Sequence, residues 1–303
     1  MLQSPSLQLT ELIEPLITRD GLIQTSLAEV YLVASRHPIP RTPLIYEPSL
    51  MVIAQGQKVG YLGDRTIHYN PGQYLVQSLP LPFECETQAT PDAPLMGVAV
   101  RIEPSILSEL VHETAEEFSN HEEADPLPMA SVAMTEGMHE AMMRLLRAIM
   151  DPMDARIMGR GRVREVIYEA LKGGQGPALR ALVQNRGQYS RIVRVLQHMH
   201  AEYAREYTVE ELSALANMSP SAFHQHFKEI TRTSPVQYLK RFRLIKARQL
   251  MTRNQLNVNQ AASAVGYRSV PQFSRDYKRY FTVSPTQHRR LPVELRSQQP
   301  ENQ

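Results

Sequence analysis

Gln225 and Arg275 stand fifty positions apart, and each is set between two aromatic residues four apart: Phe223 and Phe227 around the first, Phe273 and Tyr277 around the second. Four positions is close to one helical turn, so each aromatic pair shares a face and the residue between looks outward. An outward glutamine can pair with N6 and N7 of adenine, and an outward arginine with O6 and N7 of guanine. Ser221 and His224 accompany Gln225, and Gln272, next to Pro271, accompanies Arg275. Ser221, His224, Gln225, Gln272 and Arg275 form the predicted base-reading set. Lys228 and Lys278 follow at matching positions, with Arg232, Arg268 and Arg279 close by. Cations flanking a reading face are expected to hold phosphates.

Such side chains need two helices held at a fixed separation, and an internal repeat supplies them. The offset between copies is 49 residues before the turn (Val209 to Val258) and 50 after it (Ser219 to Ser269, Phe223 to Phe273, Pro235 to Pro285). One residue has therefore been inserted in the turn. Val209, Leu212 and Ala216 fall on one helical face, as do Val258, Ala261, Ala262 and Val265. The turn must leave right-handed geometry, which Gly266 does at no steric cost and Asn217 tolerates. Ser219 and Ser269 are placed to cap the helices that follow. The pattern predicts helix-turn-helix units at about 208–231 and 257–281. Between them Pro235 opens a basic amphipathic linker helix, about 235–252. Its residues from Val236 to Met251 span roughly 24 Å at a rise of about 1.5 Å each. With the helices' own offsets, that suits major grooves one DNA turn, about 34 Å, apart.

Charge follows the same division. Residues 1–187 hold 15 Lys and Arg against 23 Asp and Glu, whereas residues 188–290 hold 17 against 6. A basic half beside an acidic half suggests that one of them meets a polyanion. A solvated basic surface is the plainer alternative from charge alone. No stretch approaches the roughly 18 apolar residues needed to cross a bilayer, and the first residues lack the pattern of a secretory signal. The single cysteine, Cys85, excludes an internal disulfide and a thiolate zinc finger. These features read as a cytoplasmic protein without membrane contact.

The acidic half reads as strands followed by helices. Strands are expected at 50–54, 58–62, 65–69, 73–77, 83–87 and 95–102, with a tight turn at Gly63-Asp64. From Pro104 the period becomes helical, with helices at Pro104 to Val111, across Met138, Met142, Leu145 and Ile149, and from about Ala155 to Lys172. Gly173-Gly174 then stops the last of these helices. The domain boundary is placed near Arg186-Gly187-Gln188, giving domains 1–187 and 188–303.

Residues 188 to 290 resemble the AraC/XylS family of bacterial regulators. The resemblance rests on Ser219-Pro220-Ser221-Ala222-Phe223 through Phe227-Lys228 and on Gly266-Tyr267, Phe273-Ser274-Arg275-Asp276-Tyr277-Lys278 and Val283-Ser284-Pro285. His224-Gln225 replaces a common Ser/Arg pair, and Pro271 stands in the second reading helix's first turn. Residues 10 to 185 resemble the cupin-like N-terminal domain of one AraC-type subfamily, through Thr42-Pro43-Leu44-Ile45-Tyr46, Gln55-Gly56-Gln57-Lys58, Pro71-Gly72-Gln73-Tyr74 and Gly173-Gly174-Gln175-Gly176-Pro177. The resemblance implies an α+β chain: an N-terminal cupin-like antiparallel β-barrel with a helical extension, then a C-terminal all-α domain with two helix-turn-helix units. It implies a transcriptional regulator that binds operator or promoter DNA, with RNA polymerase, a small-molecule effector and a second copy as further partners.

A cupin-type enzyme with a DNA-binding appendage is the alternative, but His37 and His68 stand alone in the barrel and offer no 2-His-1-carboxylate site. His112, His121 and His139 fall in the helical part, and His198 and His200 lack the i,i+4 spacing of ligands on adjacent turns. No metal, cofactor or catalytic residue is expected. Cys85, between Glu84 and Glu86, reads as inert. Met134, Met138, Met142, Met143 and Met150 read as core or dimer packing.

Overall fold

Val30–Ser35 is buried along its whole length, and so are the middle of Ser49–Gln55 and nearly all of Leu95–Arg101. Strands buried on both faces carry continuous apolar runs, and in the computed structural model both faces are covered. The structure describes residues 5–118, 126–184, 187–252 and 254–290; His121, Arg186 and the residues after 290 lie outside these.

Helix α1 (Pro5–Ile13) precedes nine strands: β1 (Gly21–Gln24), β2 (Val30–Ser35), β3 (Ile39–Leu44), β4 (Ser49–Gln55), β5 (Gln57–Leu62), β6 (Arg65–Tyr69), β7 (Gln73–Gln77), β8 (Phe83–Gln88) and β9 (Leu95–Arg101). Helices α2 (Pro104–Glu113) and α3 (Ala115–Phe118) come next, then β10 (Met129–Ala133), α4 (Glu136–Met150), α5 (Pro152–Lys172) and α6 (Gly176–Arg180). The strands form two antiparallel sheets, ordered β1-β2-β9-β4-β7-β10 and β3-β8-β5-β6. Along the first sheet, alternate residues go to two cores. Tyr31, Val33, Met51, Ile53 and Leu75 meet Leu62, Tyr69, Phe83 and Cys85 of the second sheet inside the barrel. Val30, Leu32, Leu50, Val52 and Tyr74 pack outward against α1, α2, α4 and α5.

Helix α5 begins three residues before the expected Ala155. Asp151 accepts from the backbone of Met153 and Asp154, and Pro152 fills the first position, two start signals that outrank the apolar period. At its end Gly173 is extended (ψ 172°), not left-handed. Met138 and Met142 are core residues of α4, Met143 is partly buried, Met150 is exposed and Met134 precedes the helix. Strands β1, β2, β3 and β10 and helix α1 were not expected. β3 carries Pro40 and Pro43, which a sheet tolerates at an edge strand, and β3 is an edge.

The basic half is helical: α7 (Gly187–Ala201), α8 (Val209–Leu215), α9 (Pro220–Thr231), α10 (Pro235–Thr252), α11 (Val258–Ala264), α12 (Val270–Phe281) and α13 (Pro285–Arg290). Its packing is continuous with the barrel. Leu212, Phe223, Phe227 and Tyr238 join the barrel-interior cluster through Tyr189, Ile192 and Leu196. Ile45 of the barrel joins Phe242, Phe273 and Tyr277 in a separate cluster.

Gly266 turns α11 into α12 at φ +82°, where a Cβ would run into the carbonyl of Ala204. Gly72 also has positive φ (+86°) but nothing within 4 Å of its Cβ position. Gly266→Ala is therefore expected to destabilise by about 1–3 kcal/mol or more, and by more than Gly72→Ala. Urea unfolding of the two variants checks this; equal midpoints would contradict it.

Candidate nucleic-acid interface

Helices α9 and α12 are positioned by the same local devices. Thr208 caps α8 in a reciprocal box with Glu211, and Asn257 does the same for α11 with Gln260. Asn217 turns the first unit at φ +51°. The Ser219 hydroxyl accepts from the backbone of Ala222, and the Ser269 hydroxyl from that of Gln272. Pro271 takes the second position of α12, where its missing N–H has no intrahelical partner to lose.

Burial divides the two helices as a reader must be divided. Phe223, Phe227, Phe273 and Tyr277 are fully buried. Ser221, His224 and Gln225 are exposed on α9, as are Pro271, Gln272 and Arg275 on α12. Asp276, next to Arg275, turns inward, where Lys240 Nζ of α10 pairs with it at 2.8 Å and the Tyr267 hydroxyl donates to it at 3.4 Å. Arg275 has no ion-pair partner among the described residues.

The five cations separate into three groups. Lys228, Lys278 and Arg279 are exposed. Arg268 is exposed but pairs with Glu206 at 3.1 Å. Arg232 is half-buried at the end of α9 with φ +57°. It packs on the β5–β6 turn, where a Cβ on Gly63 would lie 2.6 Å from the Arg232 Cβ. Glu229 is not among the residues that the sequence pattern nominates, although it stands i,i+4 from Gln225. Its carboxylate accepts from Gln225 Nε2 at 2.9 Å and from His226 Nδ1 at 3.0 Å, and these hydrogen bonds hold its carboxyl below the usual range.

His198 and His200 face different partners. The His198 ring lies edge-on to Tyr207, whereas His200 stacks on Phe242 of α10 with centroids 4.1 Å apart. His200 Nε2 lies 2.7 Å from the Tyr238 hydroxyl, which donates to the carbonyl of Pro80 at 3.0 Å. With its proton on that carbonyl, Tyr238 accepts from His200 Nε2–H. Ser78 and Tyr189 make a second hydroxyl bridge from the same barrel loop at 2.8 Å.

Inside the barrel Cys85 Sγ lies 3.1 Å from the Tyr69 hydroxyl. Glu84 and Glu86 point to the opposite face, to Arg41 and Tyr61, because neighbours on a strand alternate sides. Lys58 is buried against the Thr87 hydroxyl at 3.2 Å. Cavities of about 20 and 30 Å³ share Leu22, Tyr46 and Met51. His37 and His68 are exposed, and no group of three or more His, Cys, Asp or Glu that could hold a metal occurs among the described residues. No helix among those residues is long and apolar enough to cross a membrane.

The sequence profile of the AraC-type transcriptional regulator N-terminus matches residues 26–178, and a helix-turn-helix domain profile matches residues 212–291. The chain belongs to the AraC/XylS family of transcriptional regulators. Within the family it is 40% identical over 94 residues to the regulator AlkR of Acinetobacter baylyi, covering 31% of each chain. It is 30% identical over 152 residues to GbdR of Pseudomonas aeruginosa, covering 46% of this chain and 41% of that one. It is 34% identical over 101 residues to the activator RclR of Escherichia coli, covering 33% and 36%. The alignments thus span well under half of these relatives. Crystal structures of ToxT from Vibrio cholerae share the two-domain fold, one at a TM-score of 0.61 and 10% identity over 88% of this chain and 98% of that one.

Burial holds the His200 ring neutral, and the nearby Lys246 adds to the effect, pushing its pKa down to about 3. The unfolded ring binds its proton near pH 6.5. The neutral form therefore contributes full stability above pH 6.5, lost as pH falls toward 3, at about 1.4 kcal/mol per pH unit for one proton. Between pH 6.5 and 5, His200→Phe is expected to have a flatter stability-against-pH curve than wild type. Parallel curves from denaturant melts would refute this.

Proposed function

We propose that this chain is a sequence-specific, double-stranded DNA-binding regulator of transcription that sets α9 and α12 into successive major grooves of an operator or promoter. The observation that carries the reading is the matched division of the two helices: four aromatics fully buried, with His224 and Gln225 of one and Arg275 of the other exposed between them. On this reading Ser221, His224, Gln225, Gln272 and Arg275 read bases, and Lys228, Lys278, Arg279 and Arg268 hold phosphates, Arg268 after release from Glu206. Arg232 is the weakest of the phosphate group, being packed on the β5–β6 turn. Residues 1–187 form a regulatory domain and 188–303 a DNA-binding domain. The protein acts in the cytoplasm as an activator with RNA polymerase as partner, not as an enzyme; metal analysis of the purified protein tests the cupin-enzyme alternative.

Selection of sites from a random duplex pool tests the assignment. Arg275→Ala is expected to relax one G·C pair, worth about 1–3 kcal/mol of discrimination. Gln225→Ala is expected to relax a position roughly one helical turn away. A motif unchanged at every position, with only overall affinity lowered, would sink it.

The same reading gives the barrel a sensing role. A ToxT structure holds an unsaturated fatty acid. Here the two cavities that share Tyr46 and Met51 each have room for about one water, so a small-molecule effector entering there displaces one or both of those side chains. A second copy is the other partner. Met150, Met153, Ile157 and Met158 are exposed together at the α4–α5 elbow, Ile157 to 67%. An antiparallel pair of α5 helices centred on Ile157 sets Asp154 against the partner's Arg160. Met153 then enters the open space at the partner's Gly161. Ile157→Glu is expected to raise the dimer dissociation constant at least about tenfold, in line with burying an unpaired charge. Sedimentation of both proteins checks this; an unchanged dimer would rule the surface out.

A further inference from the structure

We propose that Glu229 is a positioning residue that turns the Gln225 carboxamide into an adenine reader. The inference rests on Gln225 reading bases.

The argument is one of donors and acceptors. An ionised carboxylate only accepts, so the contact at 2.9 Å between Gln225 and Glu229 fixes which end of the amide is which: Nε2 faces Glu229. Its second hydrogen and Oε1 remain, side by side on the carboxamide's other edge. Adenine offers the matching pair in the major groove, N7 to accept and N6–H to donate. Guanine offers two acceptors there and thymine an acceptor and a methyl group, so neither satisfies Oε1. Cytosine gives a single donor, half of the match. An unrestrained glutamine can flip and give both Nε2 hydrogens to guanine; the carboxylate occupies one of them and leaves Oε1 facing an acceptor.

Three further observations support a positioning role. Glu229 is itself held, because His226 Nδ1 donates to its other oxygen at 3.0 Å. Gln225 and Glu229 are both exposed on α9, so the arrangement is available to a duplex without rearranging the core. The equivalent of Glu229 fifty residues on is Arg279, and the equivalent of Gln225 is Arg275. At this matched pair of positions a carboxylate accompanies the amide and a cation accompanies the guanidinium, although a negative charge on a DNA-facing helix works against phosphate attraction.

The test is selection from a random duplex pool with the full-length wild type, Gln225→Ala, Glu229→Ala and the double variant, alongside thermal melts. Glu229→Ala removes an exposed side chain from a helix, so its melting temperature is expected to match wild type. Its affinity for all DNA is expected to rise, because a negative charge is gone. The deciding readout is the preference for adenine over guanine at the position that Gln225→Ala relaxes. Glu229→Ala is expected to narrow it about two- to tenfold, the cost of leaving one flexible side chain to be ordered on binding. In the Gln225→Ala background, Glu229→Ala is expected to change no base preference. If Gln225→Ala relaxes a position and Glu229→Ala leaves that preference intact, the positioning role is wrong. A shift caused by Glu229→Ala in the double variant would make Glu229 a reader itself and also overturns the proposal. If Gln225→Ala relaxes no position, the base-reading assignment fails first.

Discussion

Helix α10 is gripped on more than one side, and the relative placement of α9 and α12 follows from that. Tyr238 and Leu239, near its start, belong to the cluster around Phe223 and Phe227. Leu244, Ile245, Ala247 and Met251, further along, belong to the cluster around Phe273 and Tyr277. Both units are thus packed on one hydrogen-bonded rod, so their separation is a property of helix rise and not of a loop. Polar contacts lock the rod's rotation. Lys240 holds Asp276 of α12, while Arg243 donates to the carbonyls of Tyr203 and Arg205 at 2.6 and 2.7 Å.

The barrel grips the same rod through its β7–β8 loop. Gln77, buried in β7, donates to the carbonyls of Tyr46 and Leu79 at 3.2 and 3.1 Å. Ser78 and Pro80 of that loop hold Tyr189 and Tyr238, and Tyr238 holds His200. Tyr46 also lines both barrel cavities. Hydrogen bonds of this loop therefore tie the barrel to the helix that lies between α9 and α12.

Helices α9 and α12 were legible because each local signal agreed with the others: the repeat, the caps at Ser219 and Ser269, the left-handed Asn217 and Gly266, and the aromatics four apart. The six strands from Leu50 to Ile102 were legible because Gly and Pro mark their turns. β2 is uniformly buried and lacks a two-residue period, β3 is broken by Pro40 and Pro43, and β10 is a short edge strand; none carries a pattern of its own. Contacts made across the chain were out of reach for a different reason. Nothing in the sequence around Arg232 announces the turn at Gly63, and nothing around His200 announces Pro80. Glu229 lay between these cases, since the spacing was readable but the hydrogen bond was not.

Ile45 fills a core built from residues 242 to 281, and that ties the order of synthesis to the order of folding. The barrel strands leave the ribosome long before α10 to α12 do, so this side chain waits in water for partners made at the far end of the chain. Contacts of such long sequence separation form late and slowly. The nascent N-terminal half therefore presents Ile45 uncovered until α10 to α12 arrive, an interval in which chaperones have something to hold.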